Sequence, residues 1–434
     1  MTPVELAYGR DGLTVTLPDQ AEVTVIRKKP LPKVSDPNGA VADALASPIG
    51  SPPLAELVRG RRSACLLICD ITRPVPNKLF LRPMIETMLD GGIPADQITI
   101  LVATGLHRAG DAAEVAELVG HDQWVLDHVR IVNHDARDRA GLVDLGATPT
   151  RGVPVWLNRR LVEADLRIAT GLVEPHFMAG WSGGRKVVAP GVAGEDTIRT
   201  FHSAAFMGDP LAVECNLDGN PLHEEQLQIV AKVGELYGLN TVIDDARDLS
   251  FVSFGEIQAA HQAAVDFVRP YAVVDVPRRF HTVVTSGAGY PLDKTYYQTI
   301  KGMVTARDIL EPGGTMIVAS EISEGFGSPE FRVAQRELVR LGADRFLQTL
   351  QAKHFAYVDE WQTEMLLKPT AIGRVQLYTR GLTVDEQADT GVELVESVEA
   401  AIIASLERSG DPAVAVVPDG PYVIPRYAPA APTG

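Results

Sequence analysis

The chain repeats one pattern that restricts its fold more than any other feature: a run of apolar residues, then a loop, then a segment with helical spacing. These apolar runs read, in order, ACLLICDI, ITILVAT, DLRIATGLV, HTVVTSGAG, TMIVAS, VQLYTR and VAVVPDG. Continuous apolar runs of this length are typical of strands that are buried on both faces. Because they alternate with helical segments, they predict parallel sheets covered by helices, an α/β fold.

The length of 434 residues favours more than one domain. We place the boundary near residues 265–275, ahead of the second series of strands, which predicts an N-terminal α/β domain over 1–270 and a C-terminal α/β domain over 271–434. Each is expected to hold a mostly parallel sheet flanked by helices, with the active site in the cleft between them. Short strands are predicted within 5–29, and the second domain is predicted to contain helices over 328–341 and 391–408.

Composition excludes several classes of partner. Hydrophobic residues make up 45% of the chain and charged residues 22%, as is usual for a soluble enzyme. The formal net charge of −16 at pH 7 argues against a nucleic acid or an anionic membrane as partner, because both require a basic surface. No signal peptide and no apolar run of about 18 residues is visible, so we expect a cytoplasmic protein. The three cysteines form no CxxC pair, and their odd number argues against a disulfide framework. The sequence leaves the oligomeric state open.

Polar residues follow several of the predicted strands. In parallel α/β sheets, ligands bind at the carboxyl ends of the strands, so residues in these loops are expected to converge on one cleft. The candidates are Asp70, Arg73, His107, His176, Lys186 and Lys301. Histidines in two such loops favour an acid/base pair, since imidazole titrates near neutral pH. Arg73 precedes a helix predicted to begin near Pro76. The guanidinium and the N-terminus of that helix would together form an anion clamp.

The stretch HFMAGWSGGRKVVAPG, residues 176–191, is unusually rich in glycine. Glycine permits a close approach to the backbone, so this loop is predicted to bind a ligand. A desolvated Lys186 there would be a nucleophile. The sequence lacks three common motifs: the dinucleotide-binding GxGxxG after a strand, the P-loop GxxxxGK[ST] and the zinc-binding HExxH. GWSGG also matches the GxSxG pattern of the nucleophile elbow of hydrolases, with Ser182 as the nucleophile. The residues alone do not name a reaction.

Taken together and in order, the motifs CDITRP, ATGLHR, PHFMAGWSGGRKVVAPG, FHS and YPLDKTYYQTIKG resemble those of the lactate racemase catalytic protein family. The resemblance covers residues from about 10 to 425. Members of that family are 2-hydroxyacid racemases and epimerases that use the nickel-pincer nucleotide, a Ni(II)-pyridinium-3,5-bisthiocarboxylic acid mononucleotide. The resemblance implies an N-terminal domain that binds this cofactor and a C-terminal domain that contributes to substrate binding.

The resemblance also implies roles for individual residues. Lys186 would carry the cofactor covalently, and His202 would complete the square plane of nickel, a geometry that suits Ni(II). His107 and His176 would be the catalytic histidines. The remaining roles fall in two sets: Asp70, Ile71, Thr72 and Arg73 would contact the cofactor, and Gln298, Lys301, Arg73 and Trp361 would bind the substrate. The glycines would let the planar cofactor lie against the loop.

The implied reaction inverts C2 of a lactate-like 2-hydroxy acid. One histidine removes the hydroxyl proton while the C2 hydride moves to the cofactor; the hydride then returns to the other face, and the second histidine supplies the proton. Partner proteins that make the cofactor are implied as well. Malate, aromatic or longer 2-hydroxy acids and a sugar acid remain alternative substrates. From other classes, a non-catalytic nickel-nucleotide binding protein and a hydrolase that uses Ser182 remain open.

Overall fold

A computed structural model describes residues 2–429 of the chain. The chain forms two compact units. We name them after two residues of interest: the Lys186 unit (Pro30–Phe201 and Leu211–Arg269) and the His202 unit (Met1–Lys29, His202–Pro210 and Pro270–Gly434).

The secondary structure alternates strands and helices along most of the chain. The strands are β1 (Thr2–Leu6), β2 (Leu13–Leu17), β3 (Glu22–Val25), β4 (Ala64–Cys69), β5 (Ile98–Ala103), β6 (Arg130–Asn133), β7 (Leu142–Ala147), β8 (Pro154–Asn158), β9 (Leu166–Leu172), β10 (Pro175–His176), β11 (Gly180–Trp181), β12 (Tyr237–Ile243), β13 (Leu249–Glu256), β14 (Val273–Val276), β15 (Phe280–Ser286), β16 (Leu310–Ala319), β17 (Arg374–Tyr378), β18 (Glu393–Leu394), β19 (Ala413–Val417) and β20 (Ile424–Tyr427). The helices are α1 (Pro37–Ala46), α2 (Leu54–Leu57), α3 (Leu81–Asp90), α4 (Ala112–Leu118), α5 (Gln123–His128), α6 (Arg159–Glu163), α7 (Arg185–Val188), α8 (Glu195–Phe201), α9 (Ala204–Met207), α10 (Pro221–Val233), α11 (Ile257–Ala272), α12 (Tyr296–Thr305), α13 (Pro329–Leu341), α14 (Ala343–Gln351), α15 (Glu360–Ile372), α16 (Val384–Ala388) and α17 (Val398–Ser409).

A six-stranded sheet forms the centre of the Lys186 unit, in the order β13-β12-β9-β4-β5-β6. All neighbours pair in parallel except β12 and the edge strand β13. Strand β4 is almost entirely buried, as its continuous apolar sequence predicts. Helix α3 packs on the sheet through residues at helical spacing, namely Leu81, Met84, Ile85 and Met88.

The His202 unit contains a second six-stranded sheet, in the order β18-β17-β16-β15-β19-β3. Every pair in it is parallel. Its core combines strand residues such as Val284 and Ile317 with Ile402 of α17 and with Val15 of the β1–β2 hairpin. The predicted α/β class, with mostly parallel sheets flanked by helices, is therefore confirmed in both units.

The composition of the units differs from the predicted domains 1–270 and 271–434 in two segments. Strand β3 pairs with β19, and the β1–β2 hairpin packs on the same core, so Met1–Lys29 belongs with the C-terminal residues. The segment His202–Pro210 does so too. Both associations join residues far apart in the sequence, which the local apolar pattern does not report.

Two of the three predicted helices begin later than expected, and the third is confirmed. The helix expected near Pro76 begins as α3 at Leu81, because Pro83 lacks an N–H and is tolerated only in the first turn. The helix predicted over 391–408 begins at Val398, where the Ser397 side chain accepts a hydrogen bond from the N–H of Ala400. The helix predicted over 328–341 is confirmed as α13. Among residues 2–429, no helix has the length and apolar character that crossing a bilayer requires.

Candidate active site

Three neighbouring parallel strands bring the predicted site residues of the Lys186 unit to one edge of its sheet. Strand β4 ends just before Asp70, β5 ends shortly before His107, and β9 ends shortly before His176. Because β9, β4 and β5 lie side by side and run in the same direction, their following loops meet at the carboxyl edge. The loop after β5 also contacts the loop after Lys186, since the N–H of Gly105 donates to the carbonyl of Gly191 at 2.9 Å.

Asp70 and His107 form a close hydrogen bond at this edge. The carboxylate Oδ2 of Asp70 lies 2.6 Å from Nδ1 of His107, and its Oδ1 accepts from the hydroxyl of Thr72 at 2.5 Å. A carboxylate accepts only, so Nδ1 of His107 carries the proton. Burial raises the pKa of Asp70, but the hydrogen bond and charge of His107, with Thr72 and Arg73, outweigh burial and lower it overall. The His107 side chain is 63% exposed, which leaves the rest of its ring accessible.

Arg73 pairs with an acidic residue that the sequence did not single out. Its Nε lies 3.7 Å from Oε1 of Glu174, in the loop after β9. Ile71 and Thr72 are exposed beside it. The predicted support from a helix start is wrong, because a three-residue 3₁₀ turn (Asn77–Leu79) and Phe80 separate this loop from α3.

His176 lies in a short hairpin formed by β10 and β11 and faces Gly180 across it. Its Nδ1 accepts from the backbone N–H of Ala179 at 3.2 Å and, more weakly, from that of Met178 at 3.5 Å. An acceptor at Nδ1 places the proton of a neutral ring on Nε2. His176 and His107 are therefore held in opposite tautomers.

Ser182 is a structural residue, and the alternative of a hydrolase elbow is wrong. Its side chain is buried; the hydroxyl donates to the carbonyl of Leu172 at 2.7 Å and accepts from the N–H of Glu174 at 3.0 Å. A nucleophile elbow requires an exposed hydroxyl next to a base. Ser182 instead fixes the loop that connects β9 to the hairpin.

The two glycines after Ser182 face the protein rather than open space. A Cβ at Gly183 would lie 2.8 Å from Val173, and one at Gly184 would lie 3.0 Å from the ring of His261. Both residues also have positive φ angles of 75° and 49°. The expectation that glycine serves to admit a planar cofactor is therefore wrong for these two positions: they permit a tight turn into α7. The half-buried Lys186 lies on that helix.

The remaining predicted site residues lie in the His202 unit. His202 follows the end of α8 at Phe201 and precedes α9, so it occupies the turn between these two helices. It is buried, and its ring centroid lies 5.0 Å from that of Trp361 on α15. Nε1 of Trp361 donates to the hydroxyl of Tyr297 on α12 at 3.2 Å.

Gln298 and Lys301 share one face of α12, since they are three residues apart. Both are half-buried. Within the described part of the chain, Oε1 of Gln298 is buried and has no hydrogen-bond partner. A hydroxyl or ammonium donor from a bound molecule would satisfy this atom.

Sequence reasoning missed four polar residues near these groups: Glu174, Arg185, His261 and Glu364. Arg185 stands inside the motif PHFMAGWSGGRKVVAPG and Glu174 directly precedes it, but neither has a distinguishing spacing. His261 lies on α11, and Glu364 lies one turn after Trp361 on α15. Burial raises the pKa of Glu364 to about 7, with the charge of Lys368 opposing and that of Glu360 adding to the shift.

The donor types present fit a nickel-pincer nucleotide. A primary amine at Lys186 can form a thioamide, and an imidazole at His202 is a suitable ligand for Ni(II). Arg73 provides a cation for a phosphate. In residues 2–429 no cluster of three or more His, Cys, Asp or Glu side chains is arranged to hold a metal ion.

Comparison with known proteins gives the family. Residues 8–214 match the lactate racemase N-terminal domain, and residues 277–424 match the lactate racemase C-terminal domain. The lactate racemase of Thermoanaerobacterium thermosaccharolyticum is 30% identical over 439 residues, covering 98% of this chain and all of the relative. The chain belongs to the lactate racemase family. It is accordingly an isomerase of the racemase type.

Other similarities extend over the chain as well. The lactate racemase of Lactiplantibacillus plantarum is 30% identical over 429 residues, again 98% of this chain and all of the relative. The structure of the lactate racemase apoprotein from T. thermosaccharolyticum superposes with a TM-score of 0.90 at 28% identity, covering 98% of this chain and 100% of that one. A crystal structure of a Thermotoga maritima protein, at 20% identity, shares the fold with a TM-score of 0.64 over 86% of this chain and 96% of that one.

Proposed function

We propose that this protein racemises lactate, or a closely similar 2-hydroxy acid, at C2, with His107 and His176 as its acid and base and with a nickel-pincer nucleotide bound at Lys186 and His202. The observation that carries the proposal is the Asp70–His107 hydrogen bond, located at the same sheet edge as His176 in a member of the lactate racemase family.

The hydrogen bonds of the two histidines suit the two proton transfers. Because Asp70 accepts from Nδ1 of His107, the lone pair of that ring is on Nε2, which can take up the hydroxyl proton of one enantiomer. His176 would supply the proton at the other face from Nε2, and it must enter the turnover as the imidazolium, because a neutral imidazole cannot give up its single N–H proton at neutral pH. After a turnover His107 is the imidazolium and His176 is neutral, so the two protonation states are exchanged, as the reverse direction requires.

The substrate carboxylate needs a cationic or hydrogen-bonding partner. We assign this role to Gln298 and Lys301 on α12 and to Arg73. The unpaired Oε1 of Gln298 supports a ligand-contact role on α12, since a hydroxyl group of the substrate can donate to it. Trp361 would form an apolar wall, with its orientation fixed by the hydrogen bond to Tyr297.

Six residues would hold the cofactor. Lys186 would bond to it covalently, His202 would supply the protein ligand to nickel, and Asp70, Ile71, Thr72 and Arg73 would contact it. The chemistry that such a nucleotide would supply when bound is reversible hydride acceptance at C2. The chain's own residues bind and orient the substrate and move the hydroxyl proton.

The test is a racemisation assay on protein produced together with the enzymes that make the cofactor. We expect L-lactate to give D-lactate, detected by chiral chromatography, and both His107→Ala and His176→Ala to lose about 100-fold or more in rate. Malate, longer and aromatic 2-hydroxy acids and gluconate belong in the same assay. If the enzyme inverts one of these acids and leaves lactate unchanged, the proposed reaction stands and that acid replaces lactate as the proposed substrate. The cytoplasmic location and the cofactor-making partner proteins are part of the same proposal.

A further inference from the structure

A buried cation lies next to Lys186 in the sequence. The side chain of Arg185 is only 2% exposed. Its Nη2 donates to the carbonyl of Ala179 at 2.8 Å, and its Nη1 lies 3.0 Å from Nε2 of His261. Its Nε has no hydrogen-bond partner in the described residues, and burial alone, with no carboxylate, shifts its pKa. Nε2 of His261 also lies 2.8 Å from the carbonyl of Ser182, which only accepts, so that nitrogen carries a proton and cannot accept from Arg185. The guanidinium therefore has several N–H groups without an acceptor.

A guanidinium without a counter-ion is unfavourable in a protein interior, because the charge loses its hydration and gains no opposite charge. Burial lowers the pKa of Arg185 to about 9, so the group remains cationic at neutral pH. The two groups that it contacts, the carbonyl of Ala179 and the ring of His261, carry no negative charge. The structure therefore holds one positive charge that an external anion can balance.

A cavity of about 390 Å³ borders this cation. It is separate from the candidate active site, since none of the predicted catalytic, cofactor or substrate residues lines it. Its lining consists of Arg185, His223, Leu227, Glu256, Ile257, Gln258, Ala259, His261 and Gln262. Gln258 and Gln262 are exposed, so the cavity opens to the surface beside the start of α11.

Two histidines in the lining are uncharged at neutral pH. Burial and the charge of Arg185 lower the pKa of His223 to about 3 and that of His261 well below its usual value. Nδ1 of His223 is buried without a partner in the described residues, so a neutral His223 can donate a hydrogen bond from it.

The charge and polarity of the lining select one class of anion. Glu256 is the one carboxylate among the lining residues, and its Oε2 accepts from the N–H groups of Gln258 at 3.0 Å and Ala259 at 2.9 Å. A lining with a single cation and one carboxylate disfavours a multiply charged anion. Leu227 and Ile257 add apolar surface for a short aliphatic group.

We propose that this cavity is a binding site for a small aliphatic monocarboxylate, whose carboxylate pairs with Arg185 and accepts from His223 while its alkyl group contacts Leu227 and Ile257. The site does not depend on cofactor or turnover. It would place an organic anion directly behind the helix that carries Lys186.

The test uses the full chain without cofactor and propionate as the probe, because propionate lacks the 2-hydroxyl group on which racemisation acts. Protein labelled with ¹⁵N-arginine reports each Nε–Hε group by NMR, and Arg185→Lys identifies the Arg185 signal. We expect propionate to shift that signal saturably, with chloride at the same ionic strength leaving it unchanged. Calorimetry of the same titration gives the affinity.

Leu227→Trp should fill the cavity from its partly exposed side and weaken propionate binding by about tenfold. The matched control is Ile403→Trp, which adds the same side chain at an exposed position of α17 in the His202 unit and should bind like wild type. If Arg185→Lys does not fold, the propionate affinities of Leu227→Trp and Ile403→Trp still test the proposal. A propionate titration without a saturable shift, an equal affinity in Leu227→Trp, or tighter binding of inorganic phosphate than of propionate would overturn the proposal.

Discussion

Asp70 holds Nδ1 of His107 at 2.6 Å across two neighbouring strand ends, and this contact fixes which nitrogen of the imidazole carries the proton. Thr72 supports the carboxylate from the same loop through its hydroxyl, at 2.5 Å. The arrangement leaves Nε2 of a largely exposed ring as the basic atom.

Replacing Asp70 with Asn should disturb this tautomer. An amide can donate as well as accept, so Nδ1 of His107 would no longer be the required site of the proton. We expect the racemisation rate of Asp70→Asn to fall about 10- to 100-fold. The ¹⁵N shifts of the His107 ring supply a readout independent of turnover: protonated Nδ1 in the neutral wild-type ring, and a mixture of tautomers in the variant. Unchanged shifts would contradict the assigned hydrogen bond.

Ser182→Ala should affect stability rather than catalysis. The hydroxyl joins the Leu172 carbonyl to the Glu174 N–H inside the protein, and its loss leaves both groups without that partner. We expect the free energy of unfolding to fall by about 1–3 kcal/mol. Urea denaturation measures it, with Ser323→Ala at an exposed position as the control. Racemisation by the folded variant should continue; its complete loss would return Ser182 to the list of catalytic candidates.

Lys186→Ala should abolish the covalent cofactor adduct while the fold is retained. The lysine is half-buried on a four-residue helix, and the apolar neighbours Val187 and Val188 supply the packing there. Intact-protein mass spectrometry after production with the cofactor-making enzymes checks this. The control is Lys78→Ala at an exposed site, which should keep the adduct. A mass increase that persists in Lys186→Ala but not in another lysine variant would assign the attachment elsewhere.

Glu364→Gln should stabilise the His202 unit at alkaline pH. The pKa of this carboxyl rises from 4.5 to about 7, so the folded protein holds a proton that the unfolded chain has already released. The resulting contribution to stability is complete below about pH 4.5 and is lost as the pH rises through 7, an effect on the order of 3 kcal/mol. Urea denaturation should show that the free energy of unfolding of Glu364→Gln exceeds that of wild type at pH 8 but not at pH 5. Glu407→Gln, on the surface of α17, reports the effect of net charge alone. A constant difference between the two pH values would rule out the buried carboxyl as its cause.

Local patterns were sufficient to predict the fold class and much of one sheet edge. The run ACLLIC forms a buried strand because a parallel strand covered on both faces needs apolar residues at every position. Once β4 and β5 are placed side by side, Asp70 and His107 must follow at the same edge. The resemblance to a family added His202 and implied a role for Lys186 that the pattern alone could not assign.

Contacts between distant segments could not be predicted in this way. The pairing of β3 with β19 depends on residues almost 400 positions apart. The same holds for Arg185 and His261, which meet although nothing in the helical pattern of α11 distinguishes that histidine. The glycines show the opposite error: their number indicated a ligand surface, whereas Gly183 and Gly184 make room for Val173 and His261.

Racemisation of L-lactate in D₂O distinguishes hydride transfer from deprotonation at C2. The two histidines move only the hydroxyl proton, so the hydrogen on C2 should remain with that carbon while its configuration inverts. With the cofactor-loaded enzyme, NMR and chiral chromatography should show D-lactate that retains protium at C2, and L-lactate deuterated at C2 should react more slowly and keep its deuterium. Deuterium entering C2 from the solvent at the rate of inversion would contradict the account and make His107 and His176 carbon bases.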